Sequence, residues 1–196
     1  MTAVEPAEAV PQRAAAYRPA QNRVIDAAVE LFAEHGVGGT SLQMIADAIG
    51  VTKAAVYHQF KTKDEIVLAV VKADMAKLEA AVVAAEAEED RPQALDLLLV
   101  RLIDLAVEHR RMVSMLQSDP VVVRLLAEHE PFRQLMDRLY RVLAGDDDAH
   151  DGRVPAAMLS AAIGGAVNHP LVSDVDDETL RANLLDIARR FLHFPD

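Results

Sequence analysis

The 196-residue sequence predicts an all-α chain of about nine helices, on three observations. Apolar residues recur at i, i+3, i+4 and i+7 in segment after segment, the spacing of one helical face. Capping residues and prolines stand just ahead of these segments, where helices begin. No stretch alternates apolar and polar residues as a half-buried strand does.

The first 18 residues are Ala-, Pro- and Glu-rich without periodicity and read as an N-terminal arm, with Arg13 and Arg18 as its cations. Pro19 opens a helix whose inward face is Val24, Ala28, Leu31 and Phe32, stopped near Gly36. Ser41 is an N-cap for the segment in which Leu42, Ile45, Ala46 and Ile49 share one stripe. Gly50 ends that helix, and a third begins three residues later with Val56 and Phe60 facing inward. Thr62 and Glu65 form a capping box for a long helix running to about Glu88. Asp90 with Pro92, Asp119-Pro120 and Glu130-Pro131 mark three further starts. The acidic run GDDDAHDG reads as a loop before a small-residue helix, PAAMLSAAIGGAV. A last helix carries Leu180, Leu184, Ile187 and Phe191 on one side.

Charge divides the chain. The whole carries a formal −11, yet residues 1–63 hold six Lys+Arg and six acids, so the acidity lies entirely beyond Lys63. A polyanionic partner is therefore compatible with the N-terminal third, because only the local field at a contact surface has to be favourable. The apolar runs are too short and too interrupted to cross a membrane. The N-terminus lacks the basic start and apolar run of a signal peptide, and cysteine is absent, which fits a cytoplasmic protein without disulfides.

The stretch GVTKAAVYHQFKTKDE is where chemistry concentrates. Two short helices joined by a tight Gly-containing turn and packed on a preceding helix make a helix-turn-helix. Ala46 is small where the helices cross, Gly50 sits where the turn favours positive φ, and Val51 and Val56 dock the second helix. Thr52, Lys53, Ala54, Ala55, Tyr57 and His58 are left facing out, a set suited to a major groove: small residues for close approach, a cation for bases or phosphate, and phosphate-binding polar groups. Lys63 at the first position of the long helix, otherwise an unfavourable place for a cation, is expected to grip a phosphate. Residues 23–70, through AAVELFAEHGVGGTSLQMIADAIGVTKAAVYHQFKTKDEIV, resemble the DNA-binding region of the TetR family of bacterial transcriptional regulators. By position, the resemblance implies flanking DNA contacts from Thr40, Ser41 and Gln43, a recognition helix at Thr52–His58, and a phosphate contact from Lys63. It also implies a homodimeric repressor released from a palindromic operator in double-stranded DNA by a small-molecule effector.

That resemblance divides the chain into an arm (1–18), a helix-turn-helix domain (19–63) and a ligand-binding and dimerisation domain (64–196). In the last, Ser160, Ala161, Gly164 and Gly165 permit close helix approach, and Leu184, Ile187 and Phe191 supply an apolar seam, together expected to form a dimer interface. Met75, Leu78, Leu102, Met112, Met115, Leu116, Leu126, Phe132, Met136, Leu139 and Tyr140 are candidates to line an apolar effector cavity, with His109, Gln117, His129 and Asn168 as polar members. A C-terminal body serving association alone is the other reading of these residues. Seven histidines without an HxxxH or HExxH pair give no metal site, and no nucleophile elbow or phosphate-cradling glycine loop points to an enzyme or a cofactor.

Overall fold

The computed structural model describes residues 17–144 and 153–192; Arg13 and the GDDDAHDG run lie outside them. Among the described residues there are ten α-helices, a 3-10 turn at Pro170–Val172 and no strand. They are α1 (Pro19–Gly39), α2 (Leu42–Ala48), α3 (Lys53–Gln59), α4 (Lys63–Glu86), α5 (Arg91–Glu108), α6 (Arg110–Ser118), α7 (Pro120–Glu128), α8 (Glu130–Ala144), α9 (Arg153–Ala166) and α10 (Asp177–Leu192). No described helix is long and apolar enough to cross a membrane.

The starts follow local chemistry. Ser41, Thr52 and Thr62 each accept a backbone N–H from the first turn of α2, α3 and α4, satisfying donors that have no partner inside a helix. Only half of the expected box forms: Glu65 N–H donates to the Thr62 hydroxyl, but the Glu65 carboxylate accepts from the Lys61 N–H, one residue before the cap, instead of from Thr62. The helix missing from the sequence reading is α6. It has no proline or Ser/Thr cap ahead of it, and it separates from α5 only because His109 adopts φ −121°, ψ 42°. A single non-helical residue without a breaker side chain leaves no mark in a hydrophobic pattern.

Two apolar cores form. One joins α1, α2, α3 and the first two turns of α4 (Ile66, Val67, Ala69, Val70, Val71) to Met112 of α6 and to Val122 and Leu126 of α7. The other joins the far half of α4 (Ala81, Val82, Ala85) to α5, α8, α9 and α10. Met75 packs against both, so α4 is a shared strut and its middle is where the two cores meet.

Candidate nucleic-acid interface

α2 and α3 meet across a turn at Gly50, whose φ of +68° is a conformation that costs glycine little and other residues more. Ala46 is fully buried at the crossing, and Val56 and Phe60 seat α3 on the first core. With α3 only seven residues long, one buried position in its middle turns the rest outward, save the half-buried Gln59 at its end. Thr52, Lys53, Ala54, Ala55, Tyr57 and His58 are all exposed, Tyr57 at 52%. The Lys61 ammonium lies 4.9 Å from the centre of the Tyr57 ring, which adds a second cation beside Lys53 on the same side of the domain. The result is a convex, two-turn helix with a cationic, aromatic and small-residue surface. Chemically it is able to enter a groove and meet phosphates at its rim.

Of the expected flanking contacts, Ser41 and Gln43 are exposed, the Gln43 amide resting 2.7 Å from Asp47 Oδ1. Thr40 is a correction. It is 2% exposed, and its hydroxyl donates to the carbonyls of Gly36 and Leu31 at 2.8 and 3.1 Å, so it is committed to the end of α1. Lys63, half-exposed, is also engaged within the chain. Its ammonium turns back from the start of α4 onto the carbonyls of Val37, Gly38 and Thr40. The cation at a helix N-terminus is thus balanced within the chain by the orphan carbonyls ending α1.

These contacts converge on the α1–α2 turn. Gly36, at φ +70°, breaks the regular course of α1 and brings the Val37 N–H within 2.7 Å of the Asp119 carboxylate, at the N-cap of α7. The sequence identified Asp119 as a helix start, which it is; nothing local in it signals a bond to a residue 82 positions earlier.

The effector candidates divide between the two cores. Met112 and Leu126 are buried in the first core, with Met115, Leu116 and Phe132 packed against it. Leu139 is buried in the second, with Leu78, Leu102 and Met136 packed on it, and Tyr140 is exposed to solvent. Among the polar candidates, His109 is occupied by Asp74 at 3.5 Å and Lys77 at 3.2 Å. Asn168 donates to the Arg110 carbonyl. Met75 and His129 do share a space: an open groove of about 720 Å³ between α4 and α8, floored by Leu68, Ala69 and Leu135 and edged by Lys72 and Arg138.

The proposed interface residues also divide. Gly164 is buried inside the subunit, where the Gln117 side chain crosses so closely that a Cβ on the glycine would sit 1.7 Å from it. Leu184 is 9% exposed and belongs to the second core, and Phe191 packs on that core. Ala161, Gly165 and Ile187 point outward, with Ser160 half-buried. Val154 and Met158, which the sequence reading passed over, extend the outward row on α9: positions 154, 158, 161 and 165 follow helical spacing along one face.

Residues 24–70 match the family model of bacterial regulatory proteins, tetR family. The chain is similar to the HTH-type transcriptional repressor AcnR of Corynebacterium diphtheriae, 28% identical over 68% of this chain and 67% of the relative. Other curated relatives are matched over shorter stretches; two of them align with 24% and 34% of this chain and span 21% and 49% of their own lengths. A tetR-family regulatory protein from Rhodococcus RHA1 superposes with a TM-score of 0.71 at 21% identity, over 92% of this chain and all of the other. AibR, solved with isovaleryl coenzyme A and operator DNA, superposes with a TM-score of 0.66 at 18% identity, over 86% of this chain and 97% of the other.

Proposed function

Because the chain belongs to the TetR family of bacterial regulatory proteins, we propose that it is a homodimeric repressor released from a palindromic operator by a small apolar or amphipathic molecule. DNA binding and transcription regulation come with the family; the repressor's operator, dimer and effector are our reading. One observation carries it. Every outward position of α3 is a groove-compatible residue, while its one fully buried position, Val56, fixes the helix to the core. A helix used only for packing would bury a whole stripe.

Two such helices need a spacing of about 34–36 Å to read successive major-groove faces, so a two-fold dimer supplies the geometry. The outward row of Val154, Met158, Ala161 and Gly165 with Ile187 supports α9 and α10 as its interface. For the effector we propose the groove between α4 and α8. It touches the reading domain through Tyr17 and Phe60 and the body through Leu135 and Arg138, so an occupant there bears on both. An effector that prefers the subunit geometry with wrongly spaced recognition helices lowers operator affinity by its differential affinity, and by linkage the operator lowers effector affinity equally. The relatives are regulators, and we read the chain as having no catalytic role.

Selection from a random duplex pool tests the reading: we expect a two-fold symmetric site, bound with a steep salt dependence. Failure to enrich any duplex sinks it. A second reading, in which the body serves association alone, is favoured by the division of the effector candidates between two packed cores. Apolar carboxylates and acyl thioesters that neither raise Tm nor release the selected duplex would decide for it.

A further inference from the structure

α6 lies between the two ends of the proposed regulator. On one side it is fastened to α9: Gln117 crosses Gly164, and Asn168 of the segment after α9 donates to the Arg110 carbonyl at 2.8 Å. At its far end comes Asp119, whose two carboxylate oxygens hold different parts of the molecule. Oδ1 accepts from Val121 and Val122 N–H at 2.9 and 3.3 Å and caps α7. Oδ2 accepts from Val37 N–H at 2.7 Å, across the core. Val37 is fully buried, and its carbonyl and those of Gly38 and Thr40 are held by Lys63. Ser41, the cap of α2, follows directly.

We propose that Asp119 is a positioning residue for operator recognition, the joint through which the α9–α6 assembly fixes the α1–α2 turn and hence the recognition helix. This rests on the repressor reading above. A carboxylate is required, because only it offers an acceptor oxygen to α7 and another to Val37 at once. Gly36 is the matching half of the joint: its φ of +70°, a conformation residues with a side chain rarely adopt, sets the turn so that the Val37 N–H meets Oδ2. The joint sets half-site spacing, which a helix cap alone does not.

Asp119→Asn separates the two functions. Asparagine caps helices as well as aspartate. With its oxygen on α7, though, its amide group faces the Val37 N–H, donor against donor. Binding is measured to the duplex selected by the wild type and to versions with one base pair inserted or removed between half-sites. We expect affinity for the selected duplex to fall about tenfold, the loss of one charge-assisted hydrogen bond, while the penalty for altered spacing shrinks. Gly36→Ala, which strains the positive-φ backbone that presents Val37 to Asp119 and leaves the α7 cap intact, should flatten the spacing profile in the same way and covers the case that Asp119→Asn does not fold. Wild-type affinity and an unchanged spacing profile in either folded variant overturn the proposal. Should the wild type select no duplex, the repressor reading fails on its own. Hydrogen exchange then decides the joint: faster exchange at Val37 and in α2 with unchanged α7 amides supports it, equal exchange overturns it.

Discussion

The reading end and the proposed dimer end of the molecule are both made of small, adjacent helices, yet they differ in how they use their surfaces. In α3, a single fully buried residue, Val56, anchors the helix, and all six residues expected to face outward do so. In α9 and α10, the residues expected to meet a partner are shared between two jobs. Gly164 and Leu184 are consumed by the subunit's own packing, while Ala161, Gly165 and Ile187 face out. A helix at the edge of a small domain has one apolar face to place, so its outward set is fixed by subtraction. A bundle helix that also meets a second copy has two apolar faces, and both look alike in sequence.

The largest effect expected separates those two faces on one helix. Leu184→Ala should cost about 3 kcal/mol of subunit stability, the usual range for an emptied core position. Ile187→Ala, at a site 56% exposed, should change subunit stability by less than about 0.5 kcal/mol. It should instead weaken self-association about tenfold, as truncating an apolar interface anchor does. Urea melts below the dimer dissociation constant and sedimentation equilibrium above it read the two quantities. Equal destabilisation by both would erase the division of faces.

At the reading end, Lys53→Ala with Tyr57→Ala should lower affinity for the selected duplex about a hundredfold, as the loss of two groove or phosphate contacts implies. Both side chains are exposed, so Tm should stay within about two degrees. A large fall in Tm would mean that α3 packs against more than its buried face.

What was legible follows the same division. Helix starts marked by Ser41, Thr62 and the Asp119-Pro120 pair were readable because caps act within three residues, whereas Thr52, which caps α3 in the same way, reads in the sequence only as an outward-facing residue. The outward face of α3 was readable because Gly50 and Val56 fix its rotation. α6 was not, since the His109 break rests on backbone angles alone. The effector candidates could be recognised as apolar and helical but not assigned to a core: Met112 and Met136 have the same pattern and end in different clusters. The Asp119–Val37 bond spans 82 positions and leaves no local trace.

Lys63 sharpens the contrast between contact and scaffold within the reading end. With its ammonium on three carbonyls of the α1–α2 turn, Lys63→Ala should cost about 1–2 kcal/mol of stability, the usual value of hydrogen bonds from a charged group. Its operator affinity should fall while the slope of log affinity against log salt stays unchanged. Lys53→Ala should instead shallow that slope by about one unit, the signature of a lost phosphate contact. A shallower slope for Lys63→Ala would return it to the phosphate-binding set.

The smallest effect concerns the acid response of the body alone. The Arg138 guanidinium grips Glu86, with Nη2 at 2.6 Å and Nε at 3.0 Å, and holds its carboxyl below the usual carboxylate range. Asp176 is likewise lowered by hydrogen bonds from Thr179 at the start of α10. A depressed carboxyl contributes stability that is fully present above its unfolded value and is lost as pH falls through the folded one. Both pairs are partly or fully open to solvent, so the contribution is modest and salt-sensitive. Glu86 joins the far part of α4 to α8, remote from α3, so acidification should loosen the body before it alters the recognition surface. Glu86→Gln should therefore sit slightly below the wild type in urea stability at neutral pH and converge with it under acid. Its operator affinity at neutral pH should be unchanged, unless the α4–α8 contact also sets the position of the reading end.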